Sequence, residues 1–271
     1  MLDIRGVKKV YGGTRTVEAI RDLTVHLDEG EFVCLVGPSG CGKTTLLKCV
    51  SGLLRPTTGD VVLAGQPVVE PPEGMAVVLQ EYGRSLFPWM TVERNVELPL
   101  KERRVPKNRR RELVRESLFA VGLDDTRTAY PWQLSGGMQQ RVAIARAIAC
   151  QPKILLMDEP FAAVDAQTRA ELEDLLRRLW QRINITILFV THDIDEAVYL
   201  GQRVVVLTAR PTVVQDDIPI DLSEQRDQIT TRGTERFTEL RSHIYAEIRR
   251  AQTASAPDVS TAAEADTAHP D

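Results

Sequence analysis

Gly37-Pro38-Ser39-Gly40-Cys41-Gly42-Lys43-Thr44-Thr45 decides the fold of this 271-residue chain. The apolar run Phe32-Val33-Cys34-Leu35-Val36 leads into it, and Leu46-Leu47-Lys48-Cys49-Val50 leads away. Strand, glycine-rich turn and helix form the context in which G-x-x-x-x-G-K-[ST] works as a phosphate cradle. Glycines let the backbone curl so that several N–H groups point into one concavity. A helix opening near Lys43 adds its positive end. Lys43 is expected to reach the β- and γ-phosphates of a nucleotide, and Thr44 to place its hydroxyl on Mg²⁺. A glycine-rich αβ turn that binds nothing is the competing reading of this motif taken alone.

Length allows one large α/β domain or two small ones. Hydrophobic content of 43% with 27% charged residues is that of an ordinary soluble protein. A net charge of -4 gives no general pull toward nucleic acid, and no nucleic-acid partner is expected. Lys101 to Arg115 is locally basic, with Arg103, Arg104, Arg109, Arg110 and Arg111 among its members. It reads first as a solvated helix face, then as a surface for anionic lipid headgroups, and last as an RNA contact. No apolar run approaches the ~20 residues of a membrane span, and Met1-Leu2-Asp3-Ile4-Arg5 lacks the apolar core of a signal peptide. Any membrane role is therefore expected to run through a partner. The cysteines, Cys34, Cys41, Cys49 and Cys150, form no C-x-x-C pair, which fits a reducing cytoplasm. Cys41, placed in a helix N-terminus, is expected to have a lowered pKa, so that alkylation inactivates the protein and ATP protects it.

Residues 2–10 and 22–28 alternate as two paired antiparallel strands do. Tyr11 between them suits stacking on an adenine ring, or simply covers a strand end. Gly59 to Val69 reads as a hairpin and Met75 to Leu79 as a buried strand ending in Gln80. The Gln80 amide oxygen could ligate Mg²⁺; a plain surface amide is the alternative. Phe87 and Trp89 flank Pro88 in the following loop, as a partner-binding patch or as core. Thr91 to Val121 turns helical, with Leu113, Val114, Leu118 and Val121 at helix spacing, and looks like an inserted subdomain. It leads to Leu134-Ser135-Gly136-Gly137-Met138-Gln139-Gln140-Arg141, where Ser135 caps a helix whose N-terminus is a second anion site or only a cap.

Ile154 to Asp158 reads as a buried strand with Asp158 and Glu159 at its end. Paired acids there call for a cation or a catalytic duty. Asp158 is expected to hold Mg²⁺ through water, and Glu159 to polarise the water that attacks the γ-phosphate. Asp165 caps the next helix, and Thr186 to Val190 is a strand delivering His192 to the same sheet edge. Residues 203–208 and 213–220 read as strands, 227–250 as a helix, and the tail from 251 as disordered.

Together the phosphate loop, Gln80, the LSGGMQQR run at 134–141, the I-L-L-M-D-E strand and His192 strongly resemble the ATP-binding subunit of ABC transporters. The resemblance covers about residues 1–250. It implies an α/β fold: a P-loop NTPase (RecA-like) core over 1–86 and 152–222, with an antiparallel β subdomain and an inserted α-helical subdomain over 87–151. It assigns Tyr11 and Gly37 to Thr45 to ATP, with Lys43, Gln80, Glu159 and His192 catalytic. Thr44, Gln80 and Asp158 are assigned to Mg²⁺. Ser135, Gly136, Gly137 and Gln139 become the signature that meets a partner's ATP, and Asp165 the D-loop aspartate. The D-loop, Ala162-Ala163-Val164-Asp165, lacks the serine of the commoner S-A-L-D. Phe87-Pro88-Trp89-Met90-Thr91-Val92 resembles the nitrate, sulfonate and taurine importer group. The implied partners are a second ATPase subunit, identical or not, paired head to tail, a transmembrane permease and, indirectly, a solute-binding protein. The implied place is the inner face of the cell membrane. A soluble ABC ATPase, or an ATP-binding regulatory subunit, is the other reading.

Overall fold

β3 (Phe32–Val36), β7 (Ile154–Asp158) and β8 (Thr186–Val190) are buried at every position. Such burial follows from apolar side chains on both faces of parallel strands. Phe32, Cys34 and Val36 face one hydrophobic cluster, and Val33 and Leu35 face another. The computed structural model describes residues 1–13, 16–80 and 85–253, and in it these strands belong to a ten-stranded sheet. The other strands are β1 (Leu2–Tyr11), β2 (Val17–Leu27), β4 (Thr58–Leu63), β5 (Gln66–Pro67), β6 (Met75–Val78), β9 (Arg203–Leu207) and β10 (Thr212–Pro219). Their order is β5-β4-β1-β2-β10-β9-β3-β8-β7-β6. β9, β3, β8, β7 and β6 run parallel, whereas β1, β2, β4 and β5 pair antiparallel.

β2 begins at Val17, ahead of the expected residue 22, because the ladder continues through Val10↔Glu18 and Tyr11↔Val17. Register shifts between β1 and β2 break the alternation there, which hides the first half of the strand from its sequence.

α1 (Lys43–Val50) buries Leu46, Leu47 and Val50 in the same cluster as β1, β2 and β4. The opposite face of the sheet carries α2 (Val92–Glu102), α3 (Lys107–Ala120), α4 (Gly136–Ala149), α5 (Ala166–Ile183), α6 (Ile194–Leu200) and α7 (Glu235–Thr253). α2, α3 and α4 pack on one another. Pro106 divides the expected helical stretch in two, since it disfavours a helical residue before it and starts α3. Arg103 donates to the Glu73 and Cys150 carbonyls, and Arg110 to Glu97 and the Val105 carbonyl, so part of the basic stretch serves the fold.

The C-terminal helix differs from expectation at both ends. It starts at Glu235, not 227: Asp227 caps only a short turn, closed by Thr231 N on the Asp227 carbonyl and Gly233 N on the Ile229 carbonyl, and Thr234 Oγ1 accepts from Phe237 N where the helix begins. It runs on to Thr253, so residues 251–253 are helical rather than tail. The tail beyond 253 and Glu81 to Arg84 lie outside the described residues. Among the described residues, no helix is long and apolar enough to cross a membrane.

Candidate functional site

Parallel pairing sets the site. In register, Asp158 stands opposite Val190 and Leu35 opposite Val190, so β3, β7 and β8 end at one edge of the sheet. The residues that follow each strand therefore meet there, as ligand-binding residues do in open α/β sheets.

After β3 the loop from Gly37 to Gly42 turns tightly into α1. Gly40 and Gly42 hold φ of +73° and +117°, which side chains disfavour, and a Cβ on Gly37 would lie 3.0 Å from the Leu207 carbonyl. Lys43 is the first residue of α1 and is buried. Its ammonium donates to the carbonyls of Gly37 at 2.9 Å and Pro38 at 3.3 Å, inside the loop's own concavity. The Thr44 side chain lies beside the Asp158 carboxylate and favours its charged form, and the hydroxyls of Tyr11 and Thr45 lie 3.4 Å apart. Tyr11 is thus brought to the loop while its ring stays 42% exposed.

Cys41 overturns its expectation. The helix opens at Lys43 with Gly42 as its cap, so the thiol lies outside the first turn. Its side chain packs in the cluster beneath α1, and burial pushes its pKa up, with Lys43 only partly opposing. Thr212 Oγ1 donates to the Cys41 carbonyl and ties the loop to β10.

Beyond β7 and β8, three residues far apart in sequence converge. Glu159 Oε2 lies 2.9 Å from His192 Nδ1 and accepts from Gln80 Nε2 at 3.4 Å. Glu159 holds φ of +43°, an unusual value for a side-chain-bearing residue, and its N–H still bonds the Val190 carbonyl at 2.9 Å. That turn lifts the carboxylate off the strand end. Asp158 beside it is buried, and desolvation raises its pKa, with the neighbouring Thr44 side chain opposing. A buried carboxylate with a neighbouring hydroxyl is the hard-oxygen donor set that Mg²⁺ takes.

The second anion-binding candidate is a pair of helix ends. Ser135 Oγ accepts from Met138 N at 3.3 Å, capping α4, and Asp165 Oδ1 accepts from Gln167 N and Thr168 N at 3.1 and 3.0 Å, capping α5. They pack closely: a Cβ on Gly137 would lie 2.3 Å from Thr168 Cγ2. Gln139 turns its amide N–H back to the Pro131 and Leu134 carbonyls and so braces the loop before Ser135. Among the described residues, no hydrogen bond joins Ser135, Gly136, Gly137 or Gln139 to residues 37–45.

The family profile for ABC transporters matches residues 20–162. The chain belongs to the ABC transporter family. It is an ATP-binding subunit, an ATPase with the cassette fold of that family. It is 47% identical over 222 residues to the nitrate import ATP-binding protein of Synechocystis sp., covering 82% of this chain and 83% of the relative. It is 40% identical over 252 residues to an aliphatic sulfonates import ATP-binding protein of Bacillus cereus, covering 92% and 96%. A dimeric ATP-binding cassette solved in a post-hydrolysis state with ADP and Pi superposes with a TM-score of 0.71 at 32% identity, over 82% of this chain and 100% of that one.

Sequence reasoning missed Asn95, which braces the loop before α2. Asn95 is fully buried; its amide donates to the carbonyls of Phe87, Met90 and Thr91, all at 3.1 Å, and its Oδ1 accepts from Phe87 N at 2.8 Å. It holds a loop on which Trp89 is 68% exposed, its ring centroid 5.3 Å from that of Phe87, which favours the surface reading of this pair. A lone amide between Val92, Val96 and Leu100 on α2 was the available signal.

Proposed function

We propose that this chain hydrolyses ATP in a head-to-tail pair of cassettes and so drives a permease that imports a small oxyanion. The observation that carries the hydrolytic part is the convergence of Gln80 and His192 on one oxygen of Glu159, beside the phosphate loop. Glu159 accepts a proton from the attacking water, and His192 orients that carboxylate and reaches the γ-phosphate. Lys43 exchanges its loop carbonyls for phosphate oxygens, a stronger pairing because the acceptor is charged. Tyr11 covers the adenine. Thr44, Asp158 and the Gln80 amide oxygen are the residues that would hold Mg²⁺. Bound there, that ion neutralises charge on the β- and γ-phosphates.

The lack of hydrogen bonds between the two anion sites within one chain supports pairing. Among the described residues the Ser135 end of α4 makes no hydrogen bond to residues 37–45, and on this reading it completes the site of the opposite cassette. ATP then favours closure because its γ-phosphate contacts both chains. The loop holding Phe87 and Trp89 passes the motion to the permease, which places the cassette on the inner membrane face. The relatives' nitrate and aliphatic sulfonate import support the solute class, a small oxyanion of nitrate, sulfonate or taurine type.

Two variants test the arrangement. Lys43→Ala should lose ATP binding by the monomer, whereas Ser135→Arg should keep it and lose both ATP-dependent dimers and turnover. Equal loss of nucleotide in the two would contradict the shared site. The permease that co-purifies with this cassette, and the solute whose uptake fails without it, decide the transport assignment.

A further inference from the structure

We propose that Asp216, His243 and Glu247 bind one divalent transition cation of the zinc class and so fasten α7 to β10. One donor atom from each lies within 4.8 Å of the other two. His243 Nε2 and Asp216 Oδ2 are already 3.2 Å apart. Bonds of about 2.1 Å in a tetrahedral shell separate neighbouring ligands by about 3.4 Å, so closing the site needs small side-chain rotations only.

Two features of the backbone bring these groups together. His243 and Glu247 stand one helical turn apart and share a face of α7. Between Val214 and Asp216 the pairing of β10 with β9 shifts register. Successive side chains of a regular strand point to opposite faces, and this irregularity sends both Gln215 and Asp216 to the helix. Gln215 Nε2 donates to Glu247 Oε2 at 3.3 Å, and turning that amide over would present its oxygen as a fourth ligand.

One imidazole with two carboxylates is a borderline donor set, suited to zinc and its first-row neighbours rather than to Mg²⁺. Glu247 is buried, and Arg250 donates to its Oε1 at 2.5 Å, fixing the carboxylate's orientation as partners of metal ligands do. His26 makes the contrast. Its carboxylate neighbours sit on opposite ring nitrogens, Asp3 at Nδ1 and Asp28 at Nε2, so no single ion meets all three. None of the proposed ligands belongs to the nucleotide site.

The test is titration of chelator-stripped full-length protein with zinc chloride under excess Mg²⁺, followed by calorimetry and thermal unfolding. One equivalent should bind at micromolar zinc and raise the melting temperature. His243→Ala and Asp216→Asn should each weaken uptake by about 10-fold or more and remove the thermal shift; His26→Ala should change neither. Cobalt bound to the unaltered protein should show d–d bands without thiolate charge transfer, a readout that needs no variant. Equal zinc uptake by the parent and His243→Ala, no uptake at micromolar zinc, or a thiolate band would each overturn the site and leave an ordinary ion-pair cluster.

Discussion

The Thr191 hydroxyl donates a 2.5 Å hydrogen bond to Glu196 Oε2, and this pair holds the turn that carries His192. Asp193 N donates back to Thr191 Oγ1 at 3.0 Å. Arg169 of α5 reaches Asp193 Oδ2 at 3.1 Å and Glu196 Oε1 at 3.9 Å, so the helix capped by Asp165 and the turn bearing His192 are joined by charge. Burial, seconded by Asp193 and Glu173, pushes Glu196 up to about 7 against the Thr191 and Arg169 contacts.

A group whose folded pKa is raised as an acid favours its protonated form in the native state. Between pH 4.5 and 7 the native protein then holds more protons than the unfolded chain at Glu196, and its contribution to stability falls as pH rises through that window. The full effect is on the order of 3 kcal/mol. Glu196→Gln should flatten this part of the stability profile and make the variant relatively more stable at pH 8 than at pH 5. Chemical denaturation at the two pH values measures it; an unchanged slope removes Glu196 as the source.

Glu159→Gln keeps the shape of the acceptor and loses its basicity. Turnover should fall by about 100-fold or more, while ATP binding persists and an ATP-bound dimer accumulates on a sizing column. Normal phosphate release by this variant would reassign the base.

Gly137→Ala should lower stability by about 1–3 kcal/mol, because the new methyl would meet Thr168 Cγ2 at 2.3 Å. Thr168 is β-branched and stiff at χ1, so its methyl has little freedom to swing away. Adding Thr168→Ser removes that methyl and keeps the hydroxyl, and should restore most of the loss in thermal unfolding.

Asn95→Ala removes the donors and acceptor that hold Phe87, Met90 and Thr91 and leaves their polar groups without this partner. A loss of about 2–3 kcal/mol is expected. The isolated cassette should still hydrolyse ATP, while permease-coupled uptake fails. Uptake equal to the parent's would free the loop of its coupling role.

Cys41 should react slowly with iodoacetamide in the native protein and quickly once unfolded, since its thiol is buried and its pKa raised. Mass spectrometry of timed samples reads both rates.

Much of the site was legible because its chemistry is local in sequence. The phosphate loop, the acids after β7 and the Ser135 cap each carry their motif within a few residues of the element that presents them. What stayed hidden depends on partners distant along the chain. Nothing near Cys41 says that its side chain turns down beneath α1. Nothing near Asn95 says that it serves four groups in a loop before its own helix. The start of β2 was masked by register shifts that only the paired strand reveals, and the helix expected from residue 227 begins only after the short turn that Asp227 caps.

The close approach of Gly137 to Thr168 packs the N-terminal ends of α4 and α5 directly on each other. On the proposed pairing, the end of α4 offered to a second cassette rests directly on the end of α5, so a displacement of one helix end would be carried to the other.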